Sequence, residues 1–226
     1  IYLNAGFVLD DFDSAAELFE SGDGYSYTRV ANPTIAAVER RIADLEGGAE
    51  AVLVGSGQAA VVLSVLGLLK SGDHIVSSTR LYEGTRELFR DNLVRLGITT
   101  DFVEDINNPS AWEDAILPST RVLFAESISN PKNEVLDIAA IAELAHAHGI
   151  PLIIDSTLAT PYLLRPIEHG ADVVVHSASK FLAGHGAVLG GVIVDSGSFS
   201  DPRGLFSHLS SSAPDGFPNC REGTRS

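Results

Sequence analysis

The chain has 226 residues, 45% of them apolar, so it can bury a full core, and its one cysteine, Cys220, excludes an intramolecular disulfide framework. Fifteen basic residues against 30 acidic ones give a formal charge of −15, which argues against nucleic acid or an anionic membrane surface as partner. No stretch reaches the roughly 18 apolar residues that span a bilayer and no signal-peptide pattern is visible, so the expectation is a cytoplasmic protein with no membrane partner.

Residues 1–33 have many turn formers and little periodicity, which predicts a largely extended arm. A helix from about Thr34 to Glu46 follows, with Pro33 ahead of it and Gly47-Gly48 closing it. Strand and helix then alternate. Ala51 to Val54 reads as a strand, Gln58 to Lys70 as an apolar helix, His74 to Ser78 as a strand and Glu83 to Leu96 as an amphipathic helix. Strands are expected over Ile98 to Val103 and Arg121 to Ala125, with a short helix around Ser110 to Ile116 between them. Asp137 is suited to cap a helix that runs to His148 and ends at Gly149. Strands over Pro151 to Ile154, Asp172 to Val175 and Gly191 to Val194 complete the set.

Several strand runs are apolar on both faces, as in a sheet covered by helices on both sides. The expected fold class is therefore α/β, an open, mainly parallel sheet of about seven strands. The expected organisation is an N-terminal arm and first helix over 1–50, an α/β domain over 51–195 and an irregular tail over 196–226, mobile from Ser207 to Ser226. There is no methionine, even at position 1, and the chain reads as a piece of something longer.

Parallel strands deliver their C-terminal residues to one edge of a sheet. Asp155 ends one buried run, and Lys180 follows the next, in His176-Ser-Ala-Ser-Lys180. An amine and a carboxylate about one pyridine ring apart, with the hydroxyls of Ser177 and Ser179 beside the amine, suit pyridoxal 5′-phosphate (PLP). Taken singly, a polar residue at the end of a buried strand is more often a turn former or cap. The weight comes from five strand ends that present, in chain order, a glycine turn, an aromatic, an amide, a carboxylate and a lysine.

The glycine turn is Gly55-Ser-Gly57-Gln58-Ala-Ala60, which joins a strand to a helix start and suits a phosphate. It also fits the dinucleotide fingerprint, but the acidic residue that fingerprint needs at the end of the second strand is replaced by Ser77-Ser78-Thr79, which disfavours a nicotinamide site. Tyr82 follows the second strand and is placed to stack on a flat ring; Asn130, in Asn130-Pro131, leaves the next strand at the same edge. Tyr27 and Arg29 lie in the arm, where the plain reading is a solvated loop, although an arginine fork suits phosphate. No histidine pair has metal-ligand spacing and no Gly-x-Ser-x-Gly elbow occurs, so neither a metal nor a serine nucleophile is assigned.

From about Ile1 to Asp195 the chain resembles the PLP-dependent enzymes of cysteine and methionine metabolism. The resemblance rests on Tyr27-Thr-Arg-Val-Ala-Asn-Pro-Thr34, Leu45-Glu-Gly-Gly48, Ser56-Gly-Gln-Ala-Ala60, Gly72-Asp-His-Ile-Val76, Asn130-Pro131 and His176-Ser-Ala-Ser-Lys180 followed by Gly184-His-Gly186. Ser56 to Ala60, Thr160-Pro-Tyr162 and Gly190-Gly-Val-Ile-Val-Asp195 are most similar to the O-acetylhomoserine sulfhydrylase branch. The resemblance implies the fold type I large domain, with Lys180 as the Schiff-base lysine and Asp155 as partner of the pyridine nitrogen. It implies Tyr82 stacking on the ring and Asn130 near its phenolic oxygen. Gly57, Gln58, Ser177 and Ser179 would contact the phosphate, and Tyr27 and Arg29 would reach it from an adjacent subunit of a homodimer or homotetramer.

The implied activity is γ-replacement on O-acetylhomoserine, with sulfide or a thiol as second substrate and homocysteine or methionine as product. The alternatives are γ- or β-elimination from cystathionine or methionine, and a PLP-binding piece without turnover. Ser179, Glu83, Ser156 and Leu158 depart from the common family pattern. The family's C-terminal domain, which carries the arginine for the substrate carboxylate, is expected to be absent from this chain.

Overall fold

The computed structural model describes residues 1–22 and 24–209, so the predicted tail lies largely outside the described residues. The described residues divide into two compact units, Ile1–Arg41 with Phe206–Leu209, and Ile42–Leu205.

In the first unit the predicted extended arm is corrected. It contains helix α1, Phe12–Ser21, capped by the Asp11 side chain on the Ser14 N–H and ended by Gly22 in the left-handed region. The arm also folds back on itself: Gly6 bridges Tyr27 antiparallel, and Phe7 packs its ring between those of Tyr2 and Tyr25. Helix α1 carries an apolar stripe, Phe12, Ala15, Ala16 and Phe19 at helical spacing, that the sequence reading passed over, and none of it is buried in this chain. Helix α2, Pro33–Glu46, follows with its proline in the first turn, where the missing N–H costs nothing.

The second unit holds β1 (Glu50–Val54), α3 (Gly57–Leu68), β2 (His74–Ser78), α4 (Glu83–Glu87), β3 (Thr99–Val103), α5 (Pro109–Asp114), β4 (Thr120–Glu126), α6 (Ile138–Ala147), β5 (Leu152–Asp155), α7 (Thr160–Leu163), β6 (Val173–Ser177) and β7 (Gly191–Asp195). The seven strands form one sheet in the order β1-β7-β6-β5-β4-β2-β3. Strands β3, β2, β4, β5 and β6 are mutually parallel, and β7 runs antiparallel to both β6 and β1. The C-terminal ends of β1, β2, β4, β5 and β6 therefore share one edge, as the strand pattern predicts.

Alternation along the strands divides two apolar layers. Val76, Leu123, Ala125, Leu152, Ile154 and Val174 pack with Trp112 and with Ile138, Ile141, Ala142 and Ala145 of α6. The intervening Ile75, Val122, Phe124, Ile153 and Val175 pack with Ala60, Val61 and Val65 of α3 and with Phe89 and Leu93. Each buried Val, Leu, Ile or Phe among them contributes about 1.5–3 kcal/mol of transfer free energy. Helix α6 has its buried residues at spacings of three and four, and Asp137 caps it by accepting the Ala140 N–H.

The predicted helix over Glu83 to Leu96 is also corrected. It is α-helical only to Glu87, widens into a π-helical stretch over Leu88–Asn92 and tightens to a 3-10 turn over Leu93–Leu96. Its buried residues are Thr85, Phe89 and Leu93, four apart. A 3.6-residue turn would rotate that series off the sheet, and a widened turn keeps it facing the core.

Candidate active site

The face of the sheet that carries Phe124, Ile153 and Val175 turns polar at its C-terminal edge. Two residues beyond Phe124 stands Glu126, two beyond Ile153 stands Asp155 and two beyond Val175 stands Ser177, so all three project to the α3 side. Glu126 and Asp155 are register partners on adjacent strands. Two carboxyls thus lie side by side at the end of an apolar layer.

Asp155 is held on one oxygen only. Its Oδ1 accepts the Thr157 backbone N–H at 2.9 Å and the Thr157 hydroxyl at 2.6 Å, while Oδ2 has no hydrogen-bond partner among the described residues. The Thr157 oxygen in turn accepts the Ser177 N–H at 2.7 Å, tying the end of β6 to the same turn. Burial raises the Asp155 pKa, against the Thr157 hydrogen bonds and the nearby His176, which lower it.

Glu126 is nearly buried. Its Oε1 accepts the Tyr82 backbone N–H, and its Oε2 accepts that of Asn130 at 3.0 Å. Burial and the Asp155 charge beside it push its pKa up to about 8, outweighing those two hydrogen bonds. Glu126 is a site residue that sequence reasoning missed. The signal was available, since it is an acid closing an apolar strand just as Asp155 does.

Lys180 lies in the turn after β6, exposed, with its N–H on the Ser177 carbonyl at 3.2 Å. Its amine has no ion pair or hydrogen bond among the described residues. The Ser179 hydroxyl donates to the Gly190 carbonyl and accepts the Gly190 N–H, so it fastens the lysine turn to the start of β7.

The glycine turn closes against this edge. Ser56 caps α3 through the Ala59 N–H, which leaves the N–H groups of Gly57 and Gln58 without a partner among the described residues. A Cβ on Gly57 would come within 2.5 Å of the Ser177 Cβ, so only glycine permits this approach. The Gln58 amide donates to the Thr85 hydroxyl at 2.9 Å and joins α3 to α4. Tyr82 precedes α4 with its ring half exposed. A Cβ on Gly84 would meet that ring at 2.6 Å, so Gly84 leaves the ring its place.

Gly57, Gln58, Tyr82, Asn130, Asp155, Ser177, Ser179 and Lys180 thus come from strand ends on one edge of one sheet. Tyr27 and Arg29 belong to the other compact unit, where the Arg29 guanidinium lies 5.4 Å from the centroid of the Tyr27 ring.

The residues present fit a phosphorylated pyridine aldehyde. An unpaired carboxylate oxygen suits a ring N–H, two free helix N–H groups suit an anion, an exposed aromatic suits a flat ring, and an unpaired amine suits an aldehyde.

A profile described as Cys/Met metabolism PLP-dependent enzyme matches residues 1–209. The chain belongs to this family. It is 50% identical over 200 residues to O-acetyl-L-homoserine sulfhydrylase of Corynebacterium glutamicum, an alignment covering 88% of this chain and 46% of that protein. Among solved structures, a Campylobacter jejuni protein provisionally assigned as an O-acetylhomoserine (thiol)-lyase carries N′-pyridoxyl-lysine-5′-monophosphate. It matches at a TM-score of 0.89 and 35% identity, over 98% of this chain and 56% of that one. Cystathionine γ-lyase from Lactobacillus plantarum, solved with L-serine, matches at a TM-score of 0.78 and 40% identity, over 86% of this chain and 49% of that one. The chain spans about half the length of the curated relatives it matches. The α/β architecture and mainly parallel seven-stranded sheet agree with these neighbours.

Proposed function

We propose that this chain is the cofactor-binding part of a PLP enzyme that replaces the acetoxy group of O-acetylhomoserine with sulfide or a thiol. The observation that carries the reading is Asp155, a partly buried acid with one oxygen tied down and the other unpaired, one strand away from the turn bearing an unpaired lysine. Bound there, PLP supplies an aromatic ring that withdraws electrons from the substrate carbon next to the amino group.

The chain's own residues do the rest. Asp155 would hold a proton on the ring nitrogen through Oδ2, with Thr157 fixing its other oxygen. Lys180 would hold the cofactor through its side-chain amine, which when free would be the group to move protons at the substrate Cα and Cβ. Tyr82 would stack on the ring, and Asn130 would lie near its phenolic oxygen. The N–H groups of Gly57 and Gln58, with Ser177 and Ser179, hold the phosphate. Tyr27 and Arg29 serve the phosphate of a neighbouring subunit in a homodimer or homotetramer, and the protein works in the cytoplasm.

A second reading, elimination rather than replacement, is supported by the 40% identity to cystathionine γ-lyase. Borohydride trapping with PLP, followed by peptide mass analysis, tests the site among the three lysines Lys70, Lys132 and Lys180. The label is expected on Lys180, and Lys180→Ala is expected to lower turnover by about a thousandfold or more. A label elsewhere overturns the site. Homocysteine and acetate from O-acetylhomoserine and sulfide support replacement, and release of the 2-oxo acid, ammonia and acetate with no homocysteine overturns it in favour of elimination.

A further inference from the structure

We propose that Glu126 is a positioning residue, a buried carboxylate that references the loops bearing Tyr82 and Asn130 to one another. Its two oxygens are used separately, Oε1 by the Tyr82 N–H and Oε2 by the Asn130 N–H. Tyr82 follows β2 and Asn130 follows β4, and these strands are neighbours in the sheet. Both residues lie past the ends of their strands, so the β2–β4 ladder itself does not hold them. The carboxylate supplies the missing rung. Glu126 is 7% exposed, so water does not readily replace either bond.

The chemistry requires a carboxyl group. Two convergent N–H donors need two oxygens at a fixed spacing, which the Glu126 carboxyl offers whether or not it carries its proton. Gln offers one acceptor and one donor, and Asp is one methylene too short to reach both loops from the same Cα. Tyr82 is the residue at which the chain turns into α4, so a shift of its backbone swings the ring. Because one group holds both amides, the separation of the Tyr82 and Asn130 side chains is set to hydrogen-bond tolerance. What those side chains face rests on the function proposed above. Glu126 does not itself touch the cofactor and acts through the two loops.

Amide hydrogen exchange on the cofactor-free protein, at fixed pH, tests the clamp. In Glu126→Leu the amides of Tyr82 and Asn130 are expected to exchange about tenfold faster or more, with those of Phe124 and Ile153 unchanged. In the isosteric Glu126→Gln at least one of the two is expected to do so. Loaded with PLP, Glu126→Gln is expected to bind the cofactor about tenfold more weakly and to lose intensity in its visible circular dichroism band. Its melting temperature is expected to stay close to that of the wild type. Wild-type protection at both amides in Glu126→Gln overturns the clamp. Lost protection with an unchanged visible band and unchanged PLP affinity overturns the positioning role. Should Glu126→Leu fail to fold, Glu126→Gln decides alone. Failure of the wild type to take up PLP defeats the proposed function, and the exchange measurement still decides the clamp.

Discussion

Asp155 and Asp172 stand at opposite edges of the sheet, one ending β5 and the other just ahead of β6. Burial raises the pKa of both. Their own chain treats them differently. Asp172 accepts the Leu152 N–H at 2.8 Å on Oδ2, and His146 Nε2 lies 2.9 and 3.1 Å from its two oxygens. Asp155 has one oxygen occupied and one unpaired. A buried acid whose oxygens are all answered from within is holding the fold together. One left half answered is shaped for something that arrives later. The distinction lies in the hydrogen bonds, since both acids flank apolar strands and look alike in sequence.

Exchanging each acid for a neutral residue breaks the comparison most directly. Asp155→Asn is expected to lower turnover by about 10²–10⁴-fold, because an amide does not hold a proton on a ring nitrogen. The cofactor-free protein is expected to melt no lower than the wild type, because a desolvated acid has been removed and Thr157 keeps an acceptor. A large loss of stability with near-normal turnover would reverse the assignment. Asp172→Ala is expected to do the opposite. It leaves the buried Leu152 N–H unanswered at a cost of about 1–3 kcal/mol, with the PLP absorbance of the folded protein unchanged.

A pH series sharpens the comparison further. Glu126, pushed up to about 8, and the raised Asp155 retain protons in the folded cofactor-free chain at pH values where the unfolded chain has released them. The folded state therefore binds more protons, and stability, fully present below about pH 4.5, falls as pH rises towards 8. The slope is about 1.4 kcal/mol per pH unit for each extra proton held. Urea denaturation between pH 5 and 8 measures it. Asp155→Asn is expected to flatten the fall by removing its own raised acid and bringing Glu126 down. A rise in stability with pH across this window would contradict the like-charge pairing of the two carboxyls.

Most of the sheet was legible because its strands are short apolar runs separated by glycine and helix signals. The edge residues Asp155 and Lys180 were legible because polar groups interrupting such runs stand out. Four features were missed. Helix α1 has Phe12, Ala15, Ala16 and Phe19 on one face between the capping residues Asp11 and Gly22, and the turn formers on either side of it outweighed that stripe. The widened helix after Glu87 depends on a spacing of four between Thr85, Phe89 and Leu93, which matches an ordinary helix at short range and departs only when carried over two steps. Glu126 escaped notice because its partners are backbone amides 44 and four residues away, and such bonds leave no trace in side-chain identity. Thr157 escaped for a related reason. Its hydroxyl links Asp155 to Ser177, a relay visible only once β5 and β6 lie together.

The strand order bears on how the chain is made. Strand β1 is the first of the seven to be made, yet among the described residues its one neighbour in the sheet is β7, whose last residue is Asp195. The glycine turn that follows β1 must therefore wait for nearly the whole described chain before its neighbour is synthesised. Until then β1 is an unzipped ribbon that other polypeptides can capture, and nascent chains stalled before Gly191 are the ones most in need of a chaperone.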